Sequence, residues 1–381
     1  MSRSNRSDKI DPRTIQVIHA VSRTTRACWL LGDDPISGKN YDHRKDWIEN
    51  LVVRFAAQFA IDVLSYSILS NHHHHLFRSR PDIVDTWDDT EVARRWMMIC
   101  PKRKDEDGNP MQPTNAELDT IRNCPTKLEE TRQRLSDVSW WMRLLNQRVA
   151  QRANKEDDAK GRFFEDRFKG IPVIDEETVL ACAVYVDLNW IRACMAETLE
   201  MSDYTSAQRR IEALNSESQP DEESSDEGLT DESRSVEESS EKALASKETS
   251  NRHDRQPDSF LAPIDLCETK KLPGPQPSSS GTRCSDKGFL PMSVEEYLEL
   301  VDWSARQLAV GKRGRTPAES PPILERLGLS VTVWLELVAN FDNLFTTIVG
   351  IPESIDKMRG KTTGRRFHVR AETRELFAWA A

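Results

Sequence analysis

The chain has 381 residues, enough for two domains, and carries 53 Lys+Arg against 63 Asp+Glu for a formal net charge of −10. The acidity is local: residues 213–258 hold 14 acidic against 5 basic side chains, while residues 1–212 hold 34 against 32, so a nucleic-acid partner is not excluded for the rest. Seven cysteines without a C-x-x-C pair, a polar N-terminus and no apolar run near the ~20 residues of a membrane span lead us to expect a soluble, reduced, cytoplasmic protein with no membrane partner.

Residues 14–23 read as a first strand. Residues 43–60 place Trp47, Leu51, Val52, Phe55 and Phe59 at helical spacing. The run Ile61 to Ser70 alternates and is rich in β-branched and aromatic residues, the pattern of a strand. Ser70-Asn71 then forms a turn, and His72 to Arg80 is the returning strand. Residues 89–100 are helical, and Pro110 and Pro113 mark a loop. Residues 126–154 form a long amphipathic pattern with a break near Ser136-Asp137. Residues 162–174 suit a bent strand ending at Pro172. Residues 176–198 form a helix with Asp175 as N-cap. The order β-α-β-β-α-α-β-α predicts an α+β domain over 1–212, an antiparallel sheet with helices mainly on one face. Residues 213–286, rich in Ser, Glu, Asp and Pro, predict an acidic disordered linker. Residues 287–381 show only helix patterns and predict a small all-α accessory domain.

Four consecutive histidines, His72 to His75, open the returning strand. Side chains i and i+2 share a strand face about 6.6 Å apart. His72 and His74 therefore point one way, and His73 and His75 the other. Two imidazoles on one face are a metal clamp in need of a further ligand. In the 176–198 helix, Tyr185 and Asn189 are four residues apart and share a face, and Arg192 continues the stripe. A phenol with a pKa of about 10 is a poor nucleophile unaided; beside a divalent cation it acquires a way to attack phosphorus.

The stretch Ser70-Asn-His-His-His-His-Leu-Phe-Arg-Ser-Arg-Pro-Asp82 resembles the His-hydrophobic-His segment of single-tyrosine HUH transposases, in particular the group that includes REP-associated tyrosine transposases. The similarity continues through Ser139-Trp-Trp-Met-Arg143, Arg152-Ala-Asn154, Gly161-Arg-Phe-Phe-Glu-Asp-Arg-Phe-Lys169 and Ala183-Val-Tyr-Val-Asp-Leu-Asn189, and covers about residues 14–212. The resemblance implies a ferredoxin-like HUH domain, Mg²⁺ or Mn²⁺ held by His72, His74 and Asn189, and Tyr185 as nucleophile. It implies cleavage and rejoining of single-stranded DNA beside imperfect hairpins through a phosphotyrosine intermediate, with a homodimer as an open option. The chain departs from the family at His73 and His75, where apolar residues are usual, at Trp190, where Pro is usual, and at Cys194, where Gly is common.

Arg143, Arg148, Arg152, Arg162, Arg167 and Lys169, interleaved with aromatic residues, are candidates for the DNA path, since phosphate contacts dominate affinity and unpaired bases stack on aromatic rings. The alternative is a copy without cleavage activity that binds single-stranded or hairpin DNA. A zinc hydrolase built on the histidines is a further rival, but no Glu stands beside them as an H-E-x-x-H helix would supply.

Overall fold

Period-two patterning and β-branched residues produce four strands: β1 (Val17–Arg23), β2 (Ile61–Ile68), β3 (His72–Ser79) and β4 (Lys169–Val173). The computed structural model describes residues 10–217, 256–266, 274–309, 321–361 and 367–378. The strands form one sheet in the order β2-β3-β1-β4, with every neighbouring pair antiparallel. A register shift between Val63 and Ser65 breaks the β2–β3 ladder. Only Lys169–Val173 of the bent strand expected over 162–174 joins the sheet; the residues before it form a loop.

Nine helices accompany this sheet up to residue 217 among the described residues: α1 (His43–Ala56), α2 (Pro81–Val84), α3 (Asp89–Ile99), α4 (Asn115–Arg122), α5 (Pro125–Leu135), α6 (Val138–Glu156), α7 (Glu176–Asp187), α8 (Asn189–Arg192) and α9 (Ser206–Glu217). The break at Ser136-Asp137 is real: Asp137 accepts a hydrogen bond from the Ser139 amide and starts α6. Helix α4 was not expected from the sequence. It is held by a capping box in which Thr114 accepts from the Glu117 amide and Glu117 accepts from the Thr114 amide.

The expectation of helices mainly on one face is corrected, because both faces are covered. Helices α1 and α6 pack with Ile18, Ala20, Val63, Tyr66 and Phe77 on one side. Helix α7 packs with Leu64, Leu76, Ile171 and Val173 on the other. The reason lies in α7 itself, which is apolar all round through Leu180, Ala181, Cys182, Ala183, Val184 and Val186, all buried. A helix of that kind needs cover on the side away from the sheet as well. Helices from beyond residue 286, Val294–Ala309 and Val331–Ala339, supply it and share one core with α7. Asp187 at the end of α7 joins the layers, accepting from Tyr297 Oη at 2.6 Å, from the Ala207 amide at 3.0 Å and from Ser206 Oγ.

The linker expected over 213–286 is also corrected in part. Residues 218–255 and 267–273 lie outside the described residues. Within 256–266, Phe260, Leu261, Ala262 and Ile264 are buried, and the Ala262 amide donates to Val63 O at 2.9 Å on the outer edge of β2. Within 274–288, Cys284 and Ser285 bond Asp62 Oδ1, and Gly288 O accepts from Arg78 Nη1 at 2.8 Å. Asp175 does not cap α7 with its side chain as expected. Its carboxylate accepts from the Ile351 amide at 2.7 Å and so ties the β4–α7 junction to the C-terminal region.

Candidate active site

Strand β3 lies inside the sheet between β2 and β1, and pairing with β1 sets Arg23 opposite His72 and Val21 opposite His74. Parity then sorts the histidines. His74 turns to α7, where its ring lies 5.7 Å from that of Tyr185, edge to face. His72 is on the same face, with its ring 4.9 Å from that of His74. His19 of β1, which no spacing in the sequence singles out, joins them. Its Nε2 lies 2.9 Å from His74 Nδ1, and its ring is 6.0 Å from Tyr185.

All three rings are held neutral. Burial takes His72 to about 4, with Arg23 acting in the same direction and Asp342 against it. Burial takes His19 to about 4, opposed by Asp342 and assisted by Lys169. Burial and then the neighbouring histidines hold His74 well below the usual range.

The Tyr185 ring stacks on Phe341 of the short helix Phe341–Leu344, with centroids 4.8 Å apart and planes at 20°. Its hydroxyl donates to Asp342 Oδ2 at 2.6 Å. The Arg192 guanidinium lies 4.6 Å from the Tyr185 ring centre, which bears out the helical stripe, and donates to Ala339 O at 2.7 Å. Tyr185 is only 3% exposed. Burial and then the Asp342 carboxylate push the phenol well above its usual range, with Arg192 working against them. The phenol is thus brought to the histidines and closed off there by a segment 157 residues away in the chain.

His73 and His75 turn to the α1–α6 side, fully buried. His73 Nδ1 and His75 Nε2 are 2.8 Å apart, His73 meets Phe164 edge-on and His75 stacks on Phe77. Trp190, where the resembling family has Pro, donates from Nε1 to Ile68 O at 2.9 Å and fixes α8 to the end of β2. Cys194 has φ 55°, a left-handed conformation that explains why Gly suits that position.

The basic residues expected on a DNA path divide. Arg143, Arg162 and Arg167 are exposed and line one cleft between α6 and the loop before β4. Lys169 is exposed at the start of β4, close enough to influence His19. The Arg152 guanidinium lies over Trp47, 4.0 Å from the ring centre. Arg148 is turned inward, bonding Ile99 O and lying over Phe55, and serves the junction of α3 and α6 instead of a groove.

The donor chemistry of the histidine face fits a divalent cation. His72 Nδ1 lies 2.5 Å from Asn71 Oδ1, an acceptor, so that ring carries its proton on Nδ1 and keeps a lone pair on Nε2. The contact with His19 gives His74 the same tautomer whenever His74 Nδ1 is the donor. Asn189 uses Nδ2 on Val186 O at 3.3 Å and has no hydrogen bond to either histidine. Among the described residues no group of three or more His, Cys, Asp and Glu side chains is placed to hold a metal ion.

No family model matches the chain, and no curated protein matches it. Among solved structures, it is similar to a REP-associated tyrosine transposase bound to a REP hairpin at 9% identity, over 62% of this chain and 100% of that one, with a TM-score of 0.33. No helix among the described residues is long and apolar enough to cross a membrane.

Proposed function

We propose that the protein cleaves and rejoins single-stranded DNA through a covalent phosphotyrosine, with Tyr185 as nucleophile, on a ferredoxin-like HUH framework. One observation carries the reading: α7 sets the Tyr185 phenol against the His74 and His19 rings, a tyrosine beside neutral imidazoles on one sheet face. The order β2-β3-β1-β4, with α1 and α6 together on the opposite face, supports the framework.

In the reaction, Tyr185 Oη attacks phosphorus and forms a P–O bond as the bond to the 3′-oxygen breaks. With the Phe341–Leu344 helix displaced from the ring, the phenol proton leaves to solvent, and the departing oxygen takes one up as a free 3′-hydroxyl. The ester keeps the bond energy for rejoining. His72, His74 and Asn189 would hold Mg²⁺ or Mn²⁺. Such an ion supplies Lewis-acid polarisation of the phosphate. The second-layer role falls to His19, which orients His74 through Nδ1. Arg192 lies at the phenol ring, where its charge favours the phenolate. Lys169 is a phosphate contact at the sheet edge. DNA flanked by imperfect hairpins is the substrate we expect, with a homodimer as an assembly to be tested.

A non-cleaving, hairpin-binding protein is the second reading, and the contacts of Phe341 and Asp342 with Tyr185 favour it. The deciding experiment is incubation with labelled single-stranded DNA and Mn²⁺ or Mg²⁺, followed by a denaturing gel. We expect a protein–DNA adduct that Tyr185→Phe abolishes while DNA binding stays within about twofold. An adduct carried by another tyrosine ends the assignment. No adduct with any flanking DNA, alongside tight binding, establishes the second reading.

A further inference from the structure

The β2–β3 hairpin turns on Ser70 and Asn71, with the Leu69 amide bonded to His72 O at 2.8 Å. Short hairpin turns that match the twist of their strands use left-handed residues. Neither Ser70 nor Asn71 has a positive φ, so contacts from outside hold this turn. They come from the segment that follows β1. The Thr24 amide donates to Asn71 O at 2.9 Å, and the Leu31 amide donates to Ser70 O at 2.8 Å. Gly32 passes so close that a β-carbon on it would stand 2.3 Å from Ser70 Oγ and 3.0 Å from Ser70 Cα.

Within this segment Arg26 and Ala27 are consecutive non-glycine residues with φ of 55° and 54°. Left-handed backbone with a side chain costs free energy and persists only where the surroundings enforce it. The enforcing bonds are present. The Thr24 hydroxyl is shared between Cys28 O at 2.6 Å and Asn71 O at 2.9 Å. The Thr25 amide donates to Phe163 O at 2.9 Å, and its hydroxyl donates to Arg162 O at 2.7 Å.

The strained pair presents Ala27 O to Asn71, whose Nδ2 donates to it at 3.1 Å. That bond decides which way round the carboxamide sits, because only its nitrogen can donate. The oxygen is left facing the His72 ring, with Oδ1 2.5 Å from Nδ1. The hydrogen bond made by one ring nitrogen sets the state of the other. A histidine side chain free in water prefers its proton on Nε2, the reverse of the form held here.

We infer that Asn71 is a positioning residue for His72. Anchored on the strained turn at Arg26 and Ala27, it holds the imidazole with its proton on Nδ1 and keeps Nε2 as an electron-pair donor on the Tyr185 face. That Nε2 serves a divalent cation rests on the proposed metal-dependent reaction; the hold on the ring does not.

The test uses the full chain with isotope-labelled histidine, free of metal and near neutral pH. Long-range proton–nitrogen NMR spectra report which ring nitrogen carries the proton, and His72→Gln identifies the signal. The native protein should show the proton on Nδ1. Asn71→Leu should move His72 toward the Nε2 form, and Asn71→Asp, which keeps the acceptor oxygen, should restore Nδ1. Gly32→Ala, a change outside both residues, should loosen the same preference by pushing Ser70 away. Mn²⁺ binding followed by electron paramagnetic resonance should weaken about 10–100-fold in Asn71→Leu, with the circular dichroism spectrum unchanged. A proton on Nε2 of His72 in the native protein overturns the inference, and that reading needs no variant to fold. A folded Asn71→Leu that keeps the proton on Nδ1 overturns it too. If the tautomer shifts as expected but the native chain binds no Mn²⁺, the metal-dependent reaction fails and the hold of Asn71 on His72 stands. If native chain and folded Asn71→Leu bind Mn²⁺ equally tightly, the positioning role fails alone.

Discussion

On β3 the side chains of His73 and His75 face a closed aromatic layer with Tyr66, Phe77 and Phe164. They bond each other; His75 Nδ1 has no hydrogen-bond partner among the described residues, and His73 Nε2 has none of good geometry, with the Asn146 side chain close enough to act on it. A buried polar atom left unpaired costs about 1–3 kcal/mol, whereas replacing both members of a bonded pair by apolar groups is close to neutral or better. The double substitution His73→Val, His75→Leu should therefore stabilise the protein by about 1–3 kcal/mol, a rise of a few degrees in Tm by thermal unfolding. A lower Tm would mean that the imidazole pair itself holds β3 in place. Asp62 shows the opposite case, a buried polar group that is fully engaged. It is 2% exposed, with Arg78 Nη2 at 2.7 Å and Arg80 Nη1 at 3.2 Å. Burial alone would raise its pKa, but Arg78 and then Arg80 carry it below the usual carboxylate value. A depressed folded-state pKa contributes stability that is present above the unfolded value near 3.9 and lost as pH falls through the folded one. Acid unfolding of the native protein should thus steepen below about pH 4. Asp62→Asn should remove that component at neutral pH already and cost about 3–5 kcal/mol, because the buried Arg78 guanidinium loses its counter-charge and Arg80 keeps only Asp82. Denaturant melts of both forms at pH 7 and at about pH 3, below the unfolded value, check this: the gap between the two forms should narrow at the lower pH, and an equal gap at both would refute the assignment.

At the scale of elements, the decisive contact is between α7 and the short helix Phe341–Leu344. Phe341 occupies one face of the Tyr185 ring and Asp342 takes its hydroxyl. The phenol is held protonated, and an anion sits where a phosphate would have to approach. Cleavage by Tyr185 therefore needs this helix displaced. Asp342→Asn keeps the shape and removes the charge, so adduct formation should rise severalfold with little change in Tm. Phe341→Ala with Asp342→Ala should raise the adduct rate about tenfold or more. It should also lower stability by about 3–5 kcal/mol, the usual loss for a buried Phe. A lower adduct yield from Asp342→Asn on a quenched time course would show that the carboxylate assists the phenol instead of restraining it.

At the scale of the whole molecule, the C-terminal helices are part of the core under α7, and the segment around Cys284 and Ser285 is bonded to Asp62 on β2. Glu217 and Gln256, which bracket residues 218–255, meet at 2.6 Å through Gln256 Nε2 and Glu217 Oε1. A short Gly-Ser turn can therefore replace 218–255 without moving either end. Shortening the loop by about three doublings favours folding by about 2 kcal/mol. The Tm should hold or rise in calorimetry. A fall of several degrees would show that the acidic stretch contributes to the fold.

Local and periodic features are legible in the order of the residues alone. Alternation over Ile61 to Ser79 made the β2–β3 hairpin and sent His72 and His74 to one face and His73 and His75 to the other. The i, i+7 spacing put Arg192 beside Tyr185, as their contact bears out, although the helix expected over 176–198 divides at Leu188 into α7 and α8. These follow from backbone geometry, which fixes side-chain direction within an element whatever surrounds it. It takes the packed chain to bring His19 to His74 across 55 residues and Asp342 to the Tyr185 hydroxyl across 157, and to turn Arg148 inward while Arg143, Arg162 and Arg167 share a cleft. Those contacts depend on which faces meet when layers pack. The apolar surface that drives the packing is non-directional and names no partner. The all-round apolar character of α7 announced that a second cover must exist. Which helix would provide it, and which carboxylate it would bring, could be settled only by the close packing of the folded chain.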